Sequence, residues 1–237
     1  MKKIYTLLAL ALISGSVAAQ TKKDGVRFGI RAGVNLATVA YSGNSVTQQD
    51  KDDTKTLTSF YFGGNVELPL SEAFFLQPGL SLSGKGFKGN TTLSGTVQGF
   101  PYMATVTGTR NIMYLELPVN LVYKIKNISV GVGPYAGYAL SGKDKFSGSA
   151  TFINPFTNKP QSEPVNVDKK LNIGNAADDD LKPLDFGINF LANYQLQNGI
   201  NFGLNYGLGL ANSEIKNNTN DYKASNRVLS FLVGFSF

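Results

Sequence analysis

Apolar and polar residues alternate along most of this chain. In Val26 to Leu36 ("VRFGIRAGVNL"), Val26, Phe28, Ile30, Ala32, Val34 and Leu36 share one parity; Arg27, Gly29, Arg31, Gly33 and Asn35 share the other. A period of two sends the two sets to opposite faces of a sheet. One face is wholly apolar, whereas the other is small, polar and twice cationic. Seven more runs repeat the pattern: "TSFYFGGNVELPL", "AFFLQPGLSLSGKG", "IMYLELPVNLVYKI", "ISVGVGPYAGYAL", "LDFGINFLANYQL", "INFGLNYGLGL" and "RVLSFLVGFSF". The pattern therefore predicts about eight strands.

The connections between these runs alternate long and short. Long polar segments run from Tyr41 to Thr56, from about Gly89 to Thr109, from Lys143 to Lys182 and from Asn212 to Ser225. Tight turns lie between them at Ser71 and Glu72, at Lys126 and Asn127, and at Gln197 to Gly199, where Asn and Gly accept the positive φ that hairpins demand. An up-and-down antiparallel barrel puts alternate connections at opposite ends, and bacterial outer-membrane barrels have short periplasmic turns and longer outside loops. The prediction is an all-β, eight-stranded antiparallel up-and-down transmembrane β-barrel.

A secreted lipocalin-like barrel would share the alternation but turn its apolar face inward around a ligand. Its polar parity would then meet water. Here that parity is Gly, Asn, Ser and Tyr with few charges, a composition suited to a crowded lumen in which glycines leave space for Tyr61, Tyr114 and Tyr135. Charged residues make up 16% of the chain, against roughly 25% in an ordinary soluble domain. The apolar face is therefore expected to meet lipid, with aromatic girdles near the strand ends at Phe28, Phe60, Phe74, Tyr123, Phe186, Tyr194, Phe202 and Phe235. Arg27, Arg31, Glu67, Lys85, Glu116 and Asp185 share the lumen parity and are expected to pair across it as a structural charge network.

The N-terminus, "MKKIYTLLALALISGSVAAQ", has Lys2 and Lys3, an apolar run and small residues at Val17 and Ala19, the pattern of a secretory signal cleaved after Ala19. Residues 1–19 are thus expected to be the signal peptide and 20–237 a single barrel domain. Formal charge drops by two, from +6 to +4, when Lys2 and Lys3 leave. The remaining lysines are spread among loops without a basic stripe, so no nucleic-acid partner is expected.

The segments "GIRAGVNLA", "FFLQPGLSLSGKGFK", "YLELPVNLVYK" and "GVGPYAGYALSGK" resemble, in order, the recurring motifs of the outer-membrane β-barrel family of Bacteroidetes that includes PorT. The closing Phe237 resembles the C-terminal aromatic signal read by the barrel-assembly machinery. That resemblance implies outer-membrane lipid and the assembly machinery as partners, with envelope or secretion-system proteins as further candidates.

Enzymatic chemistry is thinly supplied. The chain has neither His nor Cys, which removes the commonest general base and the thiolate nucleophile. No enzyme activity and no cofactor are expected. Oxygen ligands for Ca²⁺ exist in the runs Asp50, Asp52, Asp53 and Asp178, Asp179, Asp180, where a solvated acidic loop is the favoured reading and no metal site is assigned. Eight strands leave an interior just wide enough for side chains to fill. The favoured function is a filled-lumen structural, scaffold or surface-interaction protein working through its outer loops, with Phe100, Tyr102, Phe152 and Phe156 as candidate contacts. The alternatives are a porin-like channel for small solutes and, behind it, the secreted ligand-binding barrel.

Overall fold

A computed structural model describes residues 25–43, 54–97, 100–154, 157, 159–176, 178–213 and 223–237. It holds ten antiparallel strands: β1 (Arg27–Ser42), β2 (Thr54–Lys55), β3 (Leu57–Pro69), β4 (Phe74–Val97), β5 (Phe100–Ile125), β6 (Ile128–Ile153), β7 (Pro160–Lys170), β8 (Leu184–Gln195), β9 (Ile200–Gly209) and β10 (Lys223–Ser236). Eight of them close a ring in the order β1, β3, β4, β5, β6, β8, β9, β10 and back to β1. At the seam Phe28 and Phe237 exchange backbone hydrogen bonds of 3.0 and 2.9 Å. Closure leaves the ring without an open edge, and every spanning backbone group can be satisfied within lipid.

The two extra strands sit on the long loops. β7 lies inside the segment 143–182 and pairs with the outer half of β6, while β2 adds two residues to the side of β4. The segment 89–109 extends the strands on either side of it as a hairpin, with β4 and β5 paired out to Val97 and Phe100. Its Thr and Val residues suit a pleated strand.

The three turns of the opposite end are short for local reasons. Lys126 adopts φ 53° in the two-residue turn joining the Ile125 and Ile128 pair. Gly199, at φ 90°, closes the β8–β9 turn, where the Leu196 N–H donates to the Ile200 carbonyl at 2.7 Å. Ser71 Oγ accepts the Phe74 N–H at 3.2 Å in the third.

Face assignment decides the solvent. Ile30, Phe62, Leu117 and Val233 are 52 to 57% exposed on the outside of the ring, whereas Arg31, Asn35, Glu67, Lys85, Glu116 and Asp185 are buried inside it. A soluble ligand-binding barrel has the opposite polarity, so the apolar exterior is a lipid-facing belt. Phe28 stacks with Phe237 at 6.3 Å, and Phe74 meets Tyr123 at 5.0 Å, at the short-turn rim.

Candidate functional site: the lumen and the projecting sheet

The lumen is crossed by a buried charge cluster. Lys85 on β4 makes salt bridges to Glu116 on β5 and, at 2.8 Å, to Asp185 on β8. Tyr135 Oη donates to Asp185 Oδ2 at 3.3 Å, and Asn226 Nδ2 donates to the same oxygen at 3.1 Å. The ammonium also sits over the Tyr135 ring, 4.3 Å from its centre. Strands β4, β5, β6, β8 and β10 are thereby tied through one cation. In a low-dielectric interior such a cluster is favourable only because each charge has partners, and it specifies register more than it adds stability.

Glycines make the room for this cluster. A Cβ at Gly187 would fall 2.7 Å from the Tyr135 ring and 2.2 Å from the Leu208 carbonyl oxygen. Next to the cluster Asn35 spends one amide on three acceptors, the Phe60 carbonyl (3.1 Å), Ser83 Oγ (3.0 Å) and the Gly84 carbonyl (3.0 Å). Nearer the short-turn end Glu67 pairs with Lys124 and accepts Gln77 Nε2 at 3.0 Å. The Lys124 ammonium lies 4.7 Å from the centre of the Phe75 ring.

Arg31 is buried, facing a cavity of about 40 Å³ for water centres, lined among others by Tyr61, Ser81, Glu116, Asn120 and Asn205. Arg31 Nε and the side-chain oxygens of Asn120 and Asn205 have no hydrogen-bond partner among the described residues. Its polar lining suits the cavity to holding internal water.

At the long-loop end of the lumen an apolar segment turns inward. After β7 the chain turns into the barrel mouth, where Leu171 and Leu181 are buried against Ile112, Tyr114 and Ala139, with Ile173 packed on the group. Leu171 N–H donates to the Gly142 carbonyl at 2.9 Å and Lys182 N–H to the Ser213 carbonyl at 3.0 Å. The acidic run shapes this plug: Asp179 Oδ2 accepts the Ala176 N–H at 2.8 Å, and Asp180 Oδ2 accepts the Asn172 N–H at 2.9 Å while its other oxygen binds Lys169. Lys169, with the Asn172 N–H, holds the Asp180 carboxyl below its ordinary range. Among the described residues there is no acidic group of three or more arranged to hold a metal ion. Asp50, Asp52 and Asp53 lie outside the described residues.

Beyond the plug, β4, β5, β6 and β7 continue as a sheet projecting from the mouth. Its register puts Phe100, Tyr102, Phe146, Phe152, Val165 and Val167 on the face that continues the lumen side, and Tyr102 is the direct neighbour of Phe152. At its root Arg110 grips Asp144 through two bonds, of 2.9 and 2.8 Å.

A family model described as outer membrane protein beta-barrel domain matches residues 18–214. The chain belongs to that family. This outer-membrane barrel is similar in solved structures to Ail, the attachment invasion locus protein of Yersinia pestis, at 12% identity and TM-score 0.38, over 89% of this chain and 98% of that one. It is similar to Neisserial surface protein A at 11% identity and TM-score 0.36, over 90% of this chain and all of the other. An outer membrane channel from Pseudomonas putida F1 matches at 12% identity and TM-score 0.29, over 90% and 96% of the two chains. No curated protein matches the sequence.

Of the six charged residues expected in the barrel's lumen, Lys85, Glu116 and Asp185 meet, Glu67 finds a different partner in Lys124, and Arg31 is buried beside the cavity. Arg27 is a correction: it is exposed at the first position of β1, and Glu67, its neighbour across the β1–β3 pair, is bound by Lys124 instead. Lys124 escaped the sequence reading although it shares the parity of Glu116 and Asn120. Asn226 escaped it because its run was read from Arg227 onward. Phe100, Tyr102 and Phe152 lie together on the projecting sheet, and Phe156 is outside the described residues.

Proposed function

We propose that this barrel is a lipid-embedded anchor with a closed lumen that holds an interaction surface, the β4–β7 sheet, beyond the membrane. The observation that carries the reading is the projecting sheet itself, which extends β5 by twelve residues, 100–111, past the plug residue Ile112, roughly 40 Å of strand. Its lumen-side face bears Phe100, Tyr102, Phe146 and Phe152, a grouping that suits an apolar partner surface outside the cell. Envelope or secretion-system proteins are the partner class in keeping with the PorT-like motif order, and export would follow cleavage after Ala19 and assembly through the Phe237 signal.

The channel reading is less well supported, because the Lys85 cluster and the Leu171/Leu181 plug lie in series across the lumen. Planar-bilayer recording of the purified barrel tests this half of the proposal: a silent bilayer is expected, and discrete reproducible openings would overturn it. The other half is tested by F100A/Y102A/F152A. Partner crosslinking on whole cells should fall at least tenfold while the folded band on unboiled gels is retained, and unchanged crosslinking rejects the sheet as the contact.

A further inference from the structure

The outward face of the same strands carries a different chemistry just past the lipid belt. On β6 the belt runs from Ile128 to Leu140, and Leu140 and Ser141 both point outward at a bulge opposite the Met113 and Tyr114 step. Thirteen residues at the usual rise and tilt span about 30 Å, close to a full apolar band. Lys143 and Lys145 follow on the outward face, roughly 7 to 12 Å beyond Leu140 by the same geometry, at the depth of a headgroup layer.

The register brings other lysines to that level. Across the row from Lys145 lie Thr109, then Lys88, then Lys55 on β2; on the other side Lys170 of β7 faces Lys143. Lys55, Lys143, Lys145 and Lys170 are exposed and Lys88 is half-buried. Among the described outward-facing residues of these five strands beyond the belt, the acid is Asp168, which pairs with Lys143. Five cations therefore face one carboxylate. Above them the same face carries Asn90, Thr92, Ser94, Thr105, Thr107, Ser147, Ser149 and Thr151, a field of amide and hydroxyl groups interrupted by Met103 between Ser94 and Thr151. The neighbouring flank carries fewer cations: β1 and β3 present Thr38, Ala40, Ser42 and Thr58, β10 adds Lys223 opposite Ser42, and Arg227 on β10 donates to the Gly209 and Asn226 carbonyls.

We infer that this outward row, Lys55, Lys88, Lys143, Lys145 and Lys170, binds the phosphate groups of a phosphorylated lipid in the leaflet on the long-loop side. Charge complementarity and depth choose this occupant. Adjacent strands are about 4.8 Å apart and alternate residues about 7 Å, so one phosphate reaches two or more of the ammonium groups at once. A soluble polyanion would not require the cations to stand at the edge of the belt. The sugar or glycerol portion of the headgroup would lie along the hydroxyl field above. The site is on the opposite face of the sheet from Phe100 and Tyr102, so it stands or falls separately from the partner-binding proposal.

The test uses the full mature barrel in phosphatidylcholine nanodiscs doped with diphosphoryl lipid A or with its dephosphorylated form, followed by native mass spectrometry of retained lipid. Wild type should retain the diphosphoryl form at least tenfold over the dephosphorylated one, with retention falling between 0.05 and 0.5 M salt. Each basic residue near a charged surface is worth about fivefold, so K88Q/K145Q/K170Q should lower retention by about a hundredfold. D168N, which releases Lys143, should raise it, and this holds even if the triple variant fails to assemble. Equal retention of the two lipids overturns the inference, as does a triple variant that folds and retains lipid like wild type. A lysine-dependent binding of soluble sulfated polysaccharide without any lipid phosphate preference overturns it too, and assigns the row to a polyanion outside the membrane.

Discussion

Lys85 is the residue whose surroundings leave least freedom. Its ammonium lies between Glu116 and Asp185 with the Tyr135 ring beneath it, all inside the ring. Lys85→Met would leave two buried carboxylates without their cation, and losing one partner of a buried pair costs about 3 to 5 kcal/mol. Urea unfolding of the micelle-bound barrel should show that loss, and adding E116Q and D185N to the same chain should recover most of it. A different residue-scale constraint is space: Gly187→Val would drive its Cβ into the Tyr135 ring and the Leu208 carbonyl. Overpacking of this kind costs about 1 to 3 kcal/mol. Adding Tyr135→Ala should restore only part of it, because the backbone contact stays.

The plug is held by its own small set of contacts. Its grip combines the burial of Leu171 and Leu181 with the carboxylate of Asp180 on Lys169 and the Asn172 N–H. Leu181→Ala removes a fully buried side chain, a change worth about 2 to 5 kcal/mol. Amide exchange at residues 171–182 should accelerate while the eight-stranded ring keeps its protection. The pH dependence has a defined sign. Asp180 has a lowered pKa when docked, so its contribution is complete above the ordinary carboxylate range and is lost as pH falls through the lowered value. Plug opening, read as exchange corrected for the intrinsic rate, should thus be independent of pH near pH 7, where Asp180 is fully charged, and rise in acid, whereas in D180N the opening should already be raised at pH 7 and the acid-dependent part should vanish.

At the scale of the whole molecule, three layers follow one another along the barrel axis: an aromatic rim at the short turns, a lumen packed with charges and amides, and a sheet that continues four strands past the plug. The β1–β10 seam runs from Gly29 opposite Ser236 to Ser42 opposite Lys223, with the Phe28 and Phe237 backbone bonds at its short-turn end, so removing 235–237 leaves the first residues of β1 unpaired in lipid. Deletion of 235–237 should abolish the mobility difference between unboiled and boiled samples and prevent recovery in the outer-membrane fraction. The Phe237→Ala variant keeps both backbone bonds and should retain a folded band at lower yield. A full yield of folded protein from the deletion would show that closure at Phe237 is dispensable.

The alternation at Val26 to Leu36 and its seven repeats, with the long and short connections between them, determined the class, the eight-membered ring and the two faces, because a pleated strand reads parity directly. The same parity placed Lys85, Glu116 and Asp185 inside. It could not say which charges would meet, since Lys85 and Asp185 are a hundred residues apart and their contact depends on the stagger of strands around the ring. Nor could parity anticipate that Leu171 and Leu181, two apolar residues in a polar stretch, would turn into the mouth. Their burial depends on Ile112, Tyr114 and Ala139 arriving there from other strands. The row of lysines was scattered loop charge in the linear chain. Only the pairing of β2, β4, β5, β6 and β7 aligned it at one depth, because register between distant strands is set by the closed sheet and not by any one segment.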